Sequence, residues 1–162
     1  MASDNGAASA NDPVRVMVVD DSAVVRGLIT RMLEEDPSIS VVASVGNGQM
    51  ALNALERHDI EVVVLDIEMP VMDGMTALPQ MLKMSPGLQV IMASTLTLKN
   101  ADISLRAMEM GAADYVPKPT SSREISGGND FKHEIVGKVK ALGQVRRRQP
   151  KVKALGQVRR RQ

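Results

Sequence analysis

The sequence predicts an α/β domain, a doubly wound five-stranded parallel sheet in the order 2-1-3-4-5, and three observations predict it. Short apolar runs, most of them dense in Val and Ile, recur at 14–19, 39–45, 61–66, 88–93 and 115–117. Such runs suit strands buried on both faces of a parallel sheet. Stretches with apolar residues at helical spacing separate them, which is the pattern of consecutive strand–helix units. Several runs end on reactive side chains, Asp20-Asp21, Asp66, Ser94-Thr95 and Lys118, where the carboxyl ends of parallel strands line a crevice.

Each element has its own local reason. Residues 1–13, rich in Ala, Ser, Asn, Asp and Gly without periodicity, read as a disordered leader, because they bury too little to offset ordering entropy. VRVMVV at 14–19 is the first strand. Ser22 then caps a helix carrying Val25, Leu28, Ile29, Met32 and Leu33 and ending near Asp36-Pro37. Ile39–Val45 is the second strand, and Gly46-Asn47-Gly48 turns into a helix with Ala51, Leu52 and Leu55 on one face.

The central strand runs from Glu61 to Asp66, which reads as the reactive centre. Met75–Met84 has helical spacing, but Pro79 predicts a late start or a kink. After Ser85-Pro86-Gly87, Leu88–Ala93 is the fourth strand. Asn100 or Asp102 is expected to cap a helix that Gly111 stops. A short strand at Tyr115–Pro117 leads to Lys118-Pro119, a polar Gly-rich loop follows at 120–130, and Phe131, Ile135, Val139 and Leu142 mark a last helix. In this flavodoxin-like order the first and third strands leave the switch point in opposite directions, so Asp20, Asp21 and Asp66 converge.

At 162 residues the chain suits one domain with residues to spare. One Tyr, one Phe, no Trp and twelve Met leave an aliphatic, Met-rich core. The absence of Cys excludes disulfides, thiolate metal sites and cysteine nucleophiles. No run approaches the ~20 apolar residues of a membrane span and the first residues lack an apolar signal core, so no membrane association and a cytoplasmic location are the default expectations.

Charge is strongly divided. The first 137 residues carry 19 acidic and 10 basic side chains, a net of −9, and the last 25 carry 10 basic and no acidic ones. That tail contains the one internal repeat: KVKALGQVRRRQ at 138–149 occurs again, after Pro150, at 151–162. Two copies of twelve residues do not make a solenoid. The repeat reads as a duplication scar or artefact, with a domain limit at residue 137 and a basic tail over 138–162.

Three converging carboxylates repel one another unless a cation joins them. An all-oxygen set suits a hard ion, above all Mg²⁺, which shares its ligands readily with phosphate. Asp66 could then act as nucleophile toward a phosphoryl group and form an acyl phosphate. Lys118 would supply a second cation and Ser94 or Thr95 a hydroxyl. Glu68, two residues beyond Asp66, is placed to influence the water that would hydrolyse such a bond.

VMVVDDS at 16–22, VVVLDIEMPVMDG at 62–74, the hydroxyl after the fourth strand and YVPKP at 115–119 resemble the response-regulator receiver domains of two-component systems. STLTLKNADISLRAMEMGAADYVPKPTS at 94–122 is similar, more narrowly, to the receivers of chemotaxis protein-glutamate methylesterases. The resemblance implies phosphotransfer from a phosphohistidine of a chemotaxis sensor histidine kinase to Asp66. It also implies Mg²⁺ held by Asp21, Asp66 and the main-chain carbonyl of Glu68, with Asp20 supporting through water. By the same alignment Ser94 is the switch hydroxyl, Thr95 the small residue after it, Tyr115 an aromatic whose rotamer follows phosphorylation, and Lys118-Pro119 a cis peptide. The output surface is then the fourth helix, fifth strand and fifth helix, Lys99–Leu142, acting on a methylesterase effector domain.

Nothing after residue 137 resembles an esterase: there is no G-x-S-x-G element, and the two histidines, His58 and His133, read as surface residues. The resemblance therefore carries self-phosphorylation and autodephosphorylation chemistry but no esterase activity. Other classes compete. An aspartate-nucleophile phosphatase would use Asp66 with Glu68 but leaves the acidic pair at 20–21 unexplained. A stand-alone binding module needs no phosphate. Nucleic-acid binding through the tail lacks aromatic residues between the Arg clusters, and a solvated linker helix is preferred. A dinucleotide cradle would need glycines where Asp20-Asp21-Ser22 stands.

Overall fold

The computed structural model describes residues 12–95, 97–118 and 129–149. Five parallel strands, β1 (Val14–Val19), β2 (Ile39–Val45), β3 (Val62–Asp66), β4 (Gln89–Ser94) and β5 (Asp114–Pro117), form one sheet in the order β2-β1-β3-β4-β5. The helices are α1 (Ala23–Glu34), α2 (Gly48–Arg57), α3 (Gly74–Met84), α4 (Leu98–Glu109) and α5 (Asn129–Arg148).

Alternation along β1 sorts the core into two layers. Val14, Val16 and Val18 face α1 and α5 together with Ile29, Leu33, Phe131, Ile135 and Val139. Met17 and Val19 face the other way, against Ala51 and Leu55 of α2, Leu78 and Met81 of α3 and Ala107 of α4. The side-chain period of two thus buries both faces of the central strands, which is why they are almost continuously apolar. Methionine fills the layer between β1, β3, β4 and α3, where Met17, Met81 and Met92 are fully enclosed.

The helix starts follow hydroxyl and carboxamide chemistry. Ser22 Oγ accepts from the Val25 amide at 3.2 Å, and Asn47 Oδ1 from the Met50 amide at 2.9 Å. Three sequence expectations need correction. Helix α3 does not start late: Asp73 caps it, accepting from the Thr76 amide at 2.8 Å, and Pro79 sits inside it on the exposed face. Helix α4 is capped by Thr97, whose hydroxyl accepts from the Asn100 amide at 3.0 Å, rather than by Asn100 or Asp102. Strands β4 and β5 lie one residue from their expected positions, so Ser94 is the last residue of β4 and Asp114 the first of β5.

Helix α5 runs through residue 137 without a break and includes most of the first repeat copy. That copy is not a solvated piece: Val139 is fully buried, and a Cβ on Gly143 would lie 2.7 Å from Val14. Only glycine allows the helix this close to β1. The second copy, most of the leader, the 120–128 loop and Pro119 with its expected cis bond lie outside the described residues.

Candidate functional site

Strand β1 ends in the corner Asp20-Asp21 and β3 ends on Asp66, and the two strands are neighbours in register through Val19 and Leu65. The carboxylates of Asp20, Asp21 and Asp66 consequently meet, with one oxygen of each within 4.8 Å of the others. Asp20 and Asp66 are buried, whereas Asp21 is exposed at the mouth. Lys118, just after β5, crosses to them: its Nζ stands 2.9 Å from Asp20 Oδ2 and 3.3 Å from Asp66 Oδ1. A half-buried lysine so placed offsets part of the repulsion and leaves a net negative pocket.

The electrostatics follow from that arrangement. Burial first, then the charge of Asp20, pushes the Asp66 carboxyl from 3.8 up to about 6, with Lys118 opposing and Asp21 adding a little. Burial alone would lower the Lys118 ammonium, but its contacts with Asp20 and Asp66 outweigh that and hold it above its ordinary value. An all-oxygen donor set with one exposed member and surplus negative charge fits a hard divalent cation such as Mg²⁺.

The other expected site residues divide. Ser94, 7% exposed, ends β4 beside Asp66, and its carbonyl accepts from the Lys118 amide at 2.8 Å, which seats the lysine. Thr95 is exposed and fastened by Asn100, whose Nδ2 donates to the Thr95 carbonyl at 3.1 Å and to its hydroxyl at 3.2 Å. Glu68 is exposed and its carboxylate is not in the group around Asp66. Tyr115 is 45% exposed, with Lys138 Nζ 5.7 Å from its ring centroid and donating to its carbonyl at 2.7 Å. His58 and His133 are both exposed.

Sequence reasoning missed four supports of the site. Arg26 donates to the Asp20 carbonyl, Asn100 pins Thr95, Lys138 touches Tyr115, and Gly74 lies against the end of β3, where its amide donates to the Ile67 carbonyl at 2.8 Å. Only Gly74 left a readable signal, as the glycine after a helix-capping Asp. Beyond β3, the Met72 amide reaches the Pro70 carbonyl at 2.7 Å, closing a tight turn with Val71 at a φ of 68°. A β-branched residue is strained there.

Comparison with known proteins agrees with this geometry. Residues 16–127 match the family described as response regulator receiver domain. A protein-glutamate methylesterase/protein-glutamine glutaminase of Rhodospirillum rubrum is 74% identical over 136 residues, covering 84% of this chain and 35% of that protein. Its counterpart in Azospirillum brasilense is 66% identical over 141 residues, covering 87% of this chain and 36% of that protein. The chain thus spans little more than a third of these curated relatives. The crystal structure of the response regulator domain of Thermotoga maritima CheB superposes with a TM-score of 0.73 at 31% identity, covering 82% of this chain and 97% of that one. A structure of the P1 domain of CheA3 in complex with CheY6 from R. sphaeroides matches with a TM-score of 0.65 at 34% identity, covering 81% and 97%.

Proposed function

Since the chain belongs to the response regulator receiver domain family, and to the branch found in chemotaxis methylesterases, we propose that it is a phosphorylation switch with Asp66 as phosphoacceptor. The observation that carries this reading is the buried Asp66 carboxylate with Lys118 Nζ 3.3 Å from Oδ1 and the carboxylates of Asp20 and Asp21 beside it. A carboxylate oxygen of Asp66 attacks the phosphorus of a phosphohistidine. The P–N bond breaks, its electron pair returns to the imidazole, which takes up a proton, and an acyl phosphate remains on Asp66. Water attack on that phosphorus later frees inorganic phosphate and restores the carboxylate.

Asp21, Asp66 and the Glu68 carbonyl would hold Mg²⁺, with Asp20 supporting through water, and bound Mg²⁺ supplies charge neutralisation for the incoming phosphoryl group. Lys118 holds a phosphoryl oxygen, Ser94 donates its hydroxyl to another, and exposed Glu68 stands where it can influence the attacking water. The phosphodonor is a chemotaxis-type sensor histidine kinase; the CheY6 complex with the P1 domain of CheA3 is the related case. Movement of Ser94 and Thr95 toward the phosphate, followed by Tyr115 turning inward, carries the signal to α4, β5 and α5. The effector regulated there is a methylesterase domain like that of the longer relatives, and the setting is the cytoplasm. No helix among the described residues is long and apolar enough to cross a membrane.

Intact mass after incubation with Mg²⁺ and acetyl phosphate tests the reading. The expected result is one added phosphoryl group, abolished by chelation and by Asp66→Asn. A folded wild type that gains nothing overturns it.

A further inference from the structure

We propose that Arg26 is a positioning residue for the cation pocket: its guanidinium holds the main-chain carbonyl of Asp20 and thereby fixes where Asp21 stands. The inference rests on the phosphorylation-switch reading above and names a further residue of that site.

The four polar groups of Asp20 have separate holders. Its amide donates to the Val45 carbonyl at 3.1 Å, Oδ1 accepts from the Ser22 amide at 2.9 Å, Oδ2 accepts from Lys118 at 2.9 Å, and its carbonyl accepts from Arg26 Nη1 at 2.7 Å. The carboxylate of Asp20 is therefore oriented independently of Arg26. Asp21 differs, because among the described residues its carboxylate is held by no hydrogen bond, and its direction depends on the peptide that joins it to Asp20. That peptide is planar, so gripping its carbonyl oxygen sets the plane and the course of the chain into Asp21.

Arg26 is suited to the grip. Its Nε also donates to Ser44 Oγ at 3.2 Å, so one rigid fork spans from α1 to both the β1 corner and the end of β2. A charge-assisted bond of this length is among the stronger kinds, and the ammonium of a lysine cannot reproduce a two-point planar contact. Charge and position act in opposite directions here. A cation near the pocket repels a divalent ion, so a purely electrostatic role predicts tighter binding when Arg26 is neutralised.

Calorimetric titration of the unphosphorylated chain with Mg²⁺ at neutral pH separates these roles, with far-UV circular dichroism in chelator as the folding control. For Arg26→Gln and Arg26→Lys alike, Kd is expected to rise about tenfold, the scale of lost outer-shell support. Ser44→Ala, which removes only one arm, is expected to weaken binding less and covers the case that an Arg26 variant does not fold. Wild-type or tighter affinity in Arg26→Gln, or full retention in Arg26→Lys, overturns the proposal while leaving the switch reading intact. A folded wild type without Mg²⁺ binding overturns both.

Discussion

Arg147 grips Glu61 through two bonds, Nε to Oε2 at 2.8 Å and Nη2 to Oε1 at 3.0 Å. The pair joins the last turn of α5 to the amino end of β3, at the opposite end of the sheet from Asp66. Its side chains are only 11% and 6% exposed. The Arg15 amide donates to Glu61 Oε1 and Arg147 Nη2 to the Pro13 carbonyl, each at 3.0 Å, so the charges are satisfied as well as paired. One arginine of the repeated RRRQ is thus part of the fold rather than of a solvated basic face.

Removing one member of such a pair strands the other. Arg147→Met is expected to cost about 3 kcal/mol in urea unfolding followed by circular dichroism, and Glu61→Met a similar amount. The double variant is expected to lose clearly less than the sum, because no buried charge is then left alone. Additive losses would show that the contact is solvated and weak.

Gly74 gives a sharper expectation for the site. A Cβ there would lie 2.2 Å from the Asp66 carbonyl oxygen and 3.1 Å from the Ile67 Cα, and backbone at the end of a central strand cannot give way cheaply. Gly74→Ala is expected to lose about 2–3 kcal/mol of stability. It is also expected to slow phosphorylation by acetyl phosphate more than a surface variant of equal stability does, since the strand end that carries Asp66 must shift. Equal rates in the two variants would separate the packing from the chemistry.

The sheet was legible because parallel strands buried on both faces leave continuous Val- and Ile-rich runs, and the order 2-1-3-4-5 carried Asp20, Asp21, Asp66, Ser94 and Lys118 to one edge. What sequence could not show were contacts made by side chains of ordinary appearance. Arg26, Asn100 and Arg147 are polar residues at helical positions where solvent exposure is the usual outcome, and only folding reveals the carbonyl, hydroxyl or carboxylate each one meets. The α4 cap was misplaced because Thr97, Asn100 and Asp102 are all good capping types. The choice fell to the inward turn of Asn100, which is 5% exposed and fastens Thr95.

Asp36 should govern acid sensitivity at the α1–β2 corner. Its carboxylate accepts from the Ser38 hydroxyl at 2.6 Å and the Ser38 amide at 2.9 Å, and Lys140 Nζ lies 3.0 Å away. The Ser38 contacts first, then Lys140, lower it from 3.8 to about 2. A lowered carboxyl stabilises the folded state fully above its unfolded value and loses that contribution as pH falls through the folded one. Stability is therefore expected to drop between about pH 4 and pH 2 in wild type. Asp36→Asn should flatten that part of a urea-midpoint profile, and an unchanged slope would assign acid sensitivity to other carboxylates.

The crowding of Asp20, Asp21 and Asp66 around one lysine predicts that the site costs stability when no cation is present. Two of the three carboxylates are buried, and Lys118 is shared between Asp20 and Asp66. Asp66→Asn removes one charge and keeps the shape, so in chelator at neutral pH it is expected to be more stable than wild type by about 1–2 kcal/mol. Magnesium should narrow that gap: at ten times its Kd it stabilises the wild type by about 1.4 kcal/mol through mass action, and Asp66→Asn gains less because a ligand oxygen is gone. Thermal melts with and without Mg²⁺ measure both effects. Equal gains in the two proteins would place the cation away from Asp66 and remove the physical basis for phosphoryl transfer at that residue.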